Sequence, residues 1–174
     1  MNDLISAVRS VLTVIPEHWQ RLAQTLPDDL FRRPADSGQW SALECLHHLT
    51  AAEAVFTYRL SCFLEGCSEF PAYNPENEEE RIDPAATPAV LVAEFSRRRR
   101  LSLQLLVQVT EAHLERRARH AELGMVTLAE LLHEWGAHDL NHTVQAERAL
   151  MQPLIQGSGP WRSYFADHDL SSDA

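Results

Sequence analysis

Apolar residues recur at spacings of three and four along four long segments of the chain, and strand-like alternation is nearly absent. That period puts one stripe of each segment on one side of a helix, so the segments must pack on one another to remove the stripes from water. The pattern predicts an all-α fold, a four-helix bundle around one core. The first helix covers residues 3 to 26, with Leu4, Val8, Val11, Leu12, Ile15, Trp19, Leu22 and Leu26 on one side. Pro16 falls inside it. Proline withholds a backbone donor and crowds the preceding turn, so the segment is either one kinked helix or two pieces.

The second helix, residues 41 to 65, has the clearest boundaries. Ser41 and Glu44 form an S-x-x-E capping box, in which each side chain accepts from the other residue's unpaired backbone N–H, and Gly66 ends the segment. The stretch GCSEFPAYNPENEEERIDPAATP follows, rich in proline, asparagine and acids, and reads as a loop with one helical turn near residues 76 to 81. The third helix is predicted over residues 88 to 112, with Pro88 suited to its first turn and Val90, Leu91, Phe95, Leu101, Leu105, Leu106 and Val109 available for burial. After a charged connection, the T-x-x-E box of Thr127 and Glu130 opens the fourth helix, which reaches residue 151 and stops before Pro153. A chain of 174 residues can bury such a core as one domain without disulfides. The bundle is assigned to residues 1–155. The tail, 156–174, either packs Trp161, Tyr164 and Phe165 back on the bundle or is partly flexible.

The net charge is -10, and all fifteen positive residues are arginines. An acidic surface repels phosphate backbones, so no nucleic-acid partner is expected despite the run Arg97, Arg98, Arg99, Arg100. That run reads as a solvated helix face, with a docking patch for an acidic partner as the alternative. Cys45, Cys62 and Cys67 are odd in number and contain no C-x-x-C pair, which argues against a disulfide framework and points to a reducing compartment. No stretch approaches about 18 uncharged apolar residues, and MNDLISAVRS has no unbroken apolar core of a leader. A cytoplasmic chain with no membrane partner is expected.

The chemistry is concentrated in HEWGAHDLNHTVQAER on the fourth helix. His138 and His142 stand at i and i+4, one turn apart on one face, a spacing that lets two neutral imidazoles reach one divalent ion. A third ligand must come from another helix. On the second helix Glu44, His48 and Ala52 share a stripe, whereas His47 points about 100° away from His48. His48 lies seven residues after Ser41, and His138 and His142 lie twelve and eight before Leu150. Antiparallel packing of the second and fourth helices leaves a mismatch of only about 4.5 Å, against roughly 9 Å if they are parallel. The antiparallel choice makes the second and third helices parallel, which needs a long crossover. The loop of residues 66 to 87 can extend about 70 Å against a helix of roughly 36 Å. An up-down-down-up order follows as the expectation.

Around the histidines, Glu44 is explained by its cap and is also able to orient His48, while Glu134 and Gln145 share the face of His138 and are either site partners or a polar bundle edge. Cys45 reads as a buried thiol, with a nucleophile as the alternative. Trp40 reads as a hydrophobic anchor at the helix start. His18, His47, His113, His120, His133 and His168 read as surface or loop residues.

Trp40, Ser41, Glu44, His48 and Leu49, together with RHAELGMVTLAELLHEWGAHDLNHTVQAERAL over residues 119 to 150, resemble the DinB/YfiT-like superfamily of metalloenzymes, and the resemblance extends over nearly the whole chain. It implies a four-helix bundle with a three-histidine metal site, mapped to His48, His138 and His142. Many relatives carry a further histidine directly before the last ligand, where this chain has Asn141. The resemblance also implies a homodimer and, as in several relatives, a reaction that depends on a low-molecular-weight thiol.

Three histidines leave a coordination position open, as a catalytic metal requires, and do not choose among Zn²⁺, Ni²⁺ and Fe²⁺. The expected function is thiol S-transfer to a small-molecule substrate. Metal-dependent hydrolysis and a non-catalytic stress-related binding or dimerisation module are the alternatives. No catalytic side chain beyond the metal ligands is singled out.

Overall fold

The long apolar stripes become four helices, α1 (Leu4–Thr25), α3 (Ala42–Glu65), α4 (Pro88–Leu106) and α6 (Leu128–Gly157), while α2 (Asp28–Phe31), β1 (Glu69–Phe70), α5 (Glu111–Leu114), β2 (Arg117–His120) and β3 (Gly124–Thr127) lie in the connections. The computed structural model describes residues 4–36, 38–72, 82–83 and 85–170, and the helical turn predicted near residues 76 to 81 lies outside them. Local chemistry fixes the ends. In α3 the Ser41 N–H donates to Glu44 Oε2 at 2.6 Å and the Glu44 N–H to Ser41 Oγ at 3.2 Å. Gly66 ends the helix in the left-handed region at φ 79°, which a residue without Cβ adopts at little cost. Thr127 and Glu130 make the same reciprocal pair at the start of α6.

Several boundaries differ from those read in the sequence. The helix α1 is unbroken through Pro16. The missing proline donor leaves the Leu12 carbonyl without its helical partner, and the Arg99 guanidinium supplies a substitute, Nη1 donating to Leu12 O at 3.0 Å. The third helix ends at Leu106 and not at residue 112, because the backbone tightens there into three-residue bonds and Thr110 begins a separate turn, its N–H donating to His113 Nδ1. The fourth continues through Pro153 to Gly157 and is followed by a 3₁₀ segment, Gly159–Phe165. Its last turns are held by buried Ile155 and by Gln152, which donates to His168 O and accepts from the Leu170 N–H. Trp161 and Tyr164 stay in solvent, 65% and 80% exposed, so hydrogen bonds rather than aromatic packing hold the tail.

The charged connection before α6 contains a hairpin that the helical period did not predict. Strand β2 pairs antiparallel with β3, Ala118 opposite Val126 and His120 opposite Gly124, and parallel with β1. Side chains alternate along it, so Ala118 and His120 turn inward while Arg117 and Arg119 face solvent.

Helices α1 and α3 each pack against both α4 and α6. Contacts between α3 and α6 advance in opposite directions: His48 meets His138, and Phe56, further along α3, stacks on Trp135, earlier in α6. Contacts between α3 and α4 advance together, from Thr50–Arg98 through Glu53–Arg99 to Thr57–Ser102. Two apolar clusters result, one around Phe56, Phe63, Leu132 and Trp135, the other around Trp19, Phe31, Leu46 and Phe95.

Arg99 lies at the level between them, 1% exposed, with a bidentate bond to Glu53 at 2.7 and 2.8 Å and an ion pair to Asp139 at 2.7 Å. This corrects the reading of the arginine run as a solvated face. Arg97 is exposed and Arg98 half-buried, both bonded to Glu94, but one step further around the helix Arg99 points into the core.

Candidate metal centre

Helix α3 supplies one imidazole and α6 two. The ligand atoms of His48, His138 and His142 all lie within 4.8 Å of one another, on half-buried side chains. His48 Nε2 and His138 Nε2 are 3.1 Å apart. Two nitrogens each about 2.0–2.1 Å from one ion stand roughly 2.9–3.4 Å apart for right-angle to tetrahedral coordination, so the spacing suits a shared cation. His142 Nδ1 and Gln145 Oε1 are 2.9 Å apart, and since an amide oxygen only accepts, the ring donates from Nδ1 and keeps its Nε2 lone pair free. Gln145 lies one turn after His142 for this purpose.

The electrostatics suit the same task. Burial first, then the neighbouring His142 and His47, pushes His48 down to about 4. Burial first, then His142, His48 and the guanidinium groups of Arg99 and Arg59, pushes His138 down to about 3. Burial also lowers His142, partly opposed by its bond to Gln145. The rings are therefore neutral at pH 7, with lone pairs available, which is the donor set that borderline divalent ions such as Zn²⁺ and Ni²⁺ take.

Packing orients the rings. Phe56 meets His138 edge-on at 5.2 Å between centroids. Trp40, read in the sequence as an anchor for the helix start, packs on the apolar cluster there and also covers the histidines, its ring 5.1 Å from His48 and stacked 5.7 Å from His142. An indole next to a capping box gives no sign in sequence that it faces a histidine two turns into the helix. Glu44 is exposed, and its carboxylate accepts from the Ser41 N–H and Oγ. Cys45 is fully buried, and burial, followed by the Glu44 charge, pushes its thiol up to about 12, so it offers no thiolate.

A cavity of about 310 Å³ adjoins the cluster between α3, α6 and the hairpin, with His138 in its wall. Phe56, Leu131 and Val126 give it an apolar surface, and Arg59, Glu134 and His120 bring polar groups to it. Glu134 stands one turn before His138. Desolvation raises its carboxyl above the ordinary range, more than Arg59 lowers it. His120, expected on the surface, is 7% exposed and lines this cavity, because strand alternation turns it inward. Arg59 and His120 were missed in the sequence, since the hairpin that brings them together was not seen.

The sequence profile of the DinB superfamily matches residues 12–146, most of the chain. The chain belongs to this superfamily. Among solved structures, this DinB superfamily member is similar to YfiT from Bacillus subtilis, described as a probable metal-dependent hydrolase with an unusual four-helix bundle topology. Identity is 21% and the TM-score 0.72, over 83% of this chain and 85% of that one, which establishes a shared fold. No curated protein sequence matches the chain significantly. Among the described residues, no helix of this superfamily member is long and apolar enough to cross a membrane.

Proposed function

We propose that the chain is a metal-dependent enzyme that hydrolyses a small molecule, with a divalent ion held by His48, His138 and His142. The convergence of three neutral imidazoles from two helices beside a cavity carries this reading. A bound ion supplies Lewis acidity and lowers the pKa of a coordinated nucleophile. The chain's own groups do the rest. Gln145 holds His142 in the tautomer whose Nε2 faces the cluster. Trp40 and Phe56 limit water around the rings. Glu134, in the cavity wall one turn from His138, is the carboxyl placed to accept and return a proton at the substrate. The description of YfiT as a probable hydrolase supports this choice.

A second reading is S-transfer from a low-molecular-weight thiol. It is favoured by the resemblance to thiol-dependent relatives and by the state of Cys45, whose buried, protonated thiol means that a sulfur nucleophile would come from solution. A homodimer in a cytoplasmic setting belongs to the same proposal, resting on the resemblance and on the three free cysteines.

The test is to purify the protein without added metal, measure its metal content, and assay wild type and His138→Ala for aryl-ester hydrolysis and for thiol conjugation to an electrophilic probe. Bound metal and hydrolysis that falls about 100-fold or more in the variant support the proposal. His138-dependent conjugation without hydrolysis selects the second reading. Protein that holds no metal and binds neither added Zn²⁺ nor added Ni²⁺ overturns both and leaves a non-catalytic module.

A further inference from the structure

Arg59 has no ion-pair partner among the described residues, although it carries a full charge into a largely apolar cavity. It projects from α3 and is half-buried, and its Nε is buried without a hydrogen-bond partner among the described residues. The guanidinium carbon lies 5.4 Å from the Phe70 ring centroid. Among the described residues its one short polar contact is Nη2 to His120 Nε2, at 3.1 Å.

That contact does not satisfy the arginine. His120 Nδ1 accepts from the backbone N–H groups of Glu122 and Leu123 at 3.2 and 3.3 Å. A neutral ring that accepts at Nδ1 carries its proton on Nε2, so two donors face each other across the contact. A buried donor without an acceptor loses its hydration and gains nothing in return, and the loss is greater beside a charge. Glu134 and Glu122 favour the charged guanidinium through space, but the nearby acids do not supply that acceptor. Glu130 accepts from the Thr127 N–H and Oγ at the α6 cap, Glu122 is exposed, and neither Glu122 nor Glu134 forms an ion pair with Arg59.

We infer that the cavity takes a small carboxylate-bearing molecule, its carboxylate oxygens accepting from Arg59 and from His120 Nε2 and its apolar body lying along Phe56, Val126 and Leu131 toward His138. The planar guanidinium fork matches a carboxylate, and a cavity of about 310 Å³ suits a small molecule rather than a peptide. The inference deepens the proposed function and rests on it for the claim that the bound molecule is a substrate. Recognition of the carboxylate itself requires only Arg59 and His120.

The test therefore separates binding from turnover. Binding of 3-phenylpropionate and of its neutral counterpart 3-phenylpropionamide is measured by titration calorimetry, on the protein as purified and again after chelation, which removes any direct coordination of the probe by metal. Wild type is expected to prefer the carboxylate about tenfold or more after chelation. Arg59→Gln, checked for an unchanged melting temperature, is expected to abolish that preference, and Arg59→Lys to keep part of it, since charge remains and the fork is lost. Equal affinity of wild type for the two probes, or a preference that persists in Arg59→Gln, overturns the inference. Arg59-dependent binding in a protein without hydrolytic activity would sustain the carboxylate site while refuting the hydrolase proposal.

Discussion

Gln145 decides what His142 can do. By accepting from Nδ1 at 2.9 Å it leaves the opposite nitrogen as the only donor atom toward the cluster. Replacing it with leucine, similar in size and without an acceptor, frees the ring to turn and to change tautomer. Gln145→Leu is expected to weaken metal binding about 10–100-fold with little change in stability, measured by competition with a chromophoric chelator. The protonation of the rings gives a second prediction. His48 and His138 lie near 4 and 3 in the folded protein, below the ordinary histidine value of 6.5. Between about 6.5 and 4 the unfolded chain binds more protons than the folded one. The stability these groups contribute is complete above pH 6.5 and declines as the pH falls through that window. Metal-free protein should therefore melt at progressively lower temperature from pH 7 to pH 4.5. His138→Phe should show a shallower decline; an equally steep one would refute the assignment.

Arg99 ties four helices at one level: it extends from α4 to Glu53 on α3, Asp139 on α6 and the Leu12 carbonyl of α1. Removing the arginine leaves two buried carboxyl groups and a carbonyl without their common donor. Arg99→Met is expected to lose about 3–5 kcal/mol in urea unfolding. Pro16→Ala should recover about 1 kcal/mol of that loss, because an alanine N–H can again bond to Leu12 O. No recovery would contradict the account of how α1 tolerates its proline. Arg99 was misread from sequence, although a signal was there. The buried positions of α4 are Pro88, Leu91, Val92, Phe95, Arg99, Ser102 and Leu106, so Arg99 continues a spacing of three and four that its charged neighbours concealed. The caps at Ser41 and Thr127 were legible because their chemistry is local to four residues. The β2–β3 hairpin was not, because strands of four residues with arginines on one face bury too little to leave an apolar signature. Arg59 and His120 depend on that hairpin, and so the cavity had no trace in the sequence, whereas the histidine cluster did, being set by positions on two long helices.

Across the whole molecule, the two apolar clusters lie on either side of a polar level that holds the Glu53–Arg99–Asp139 network and, beside Asp139, the histidine cluster. A cation bound there would join α3 to α6 at the point where the core is least apolar. Ligand that binds only the folded state raises stability by about 2.7 kcal/mol at a hundredfold excess over Kd. Added Zn²⁺ or Ni²⁺ should therefore raise the melting temperature of chelated protein, and the rise should vanish in His142→Ala. The central claim is that imidazoles from both helices hold one ion, and calorimetric titration of Zn²⁺ into wild type and His48→Ala tests it most directly. One ion per chain in wild type, with affinity falling about 100-fold or more when the α3 ligand is removed, is the predicted result. An affinity unchanged in His48→Ala, or no binding by wild type, would contradict it.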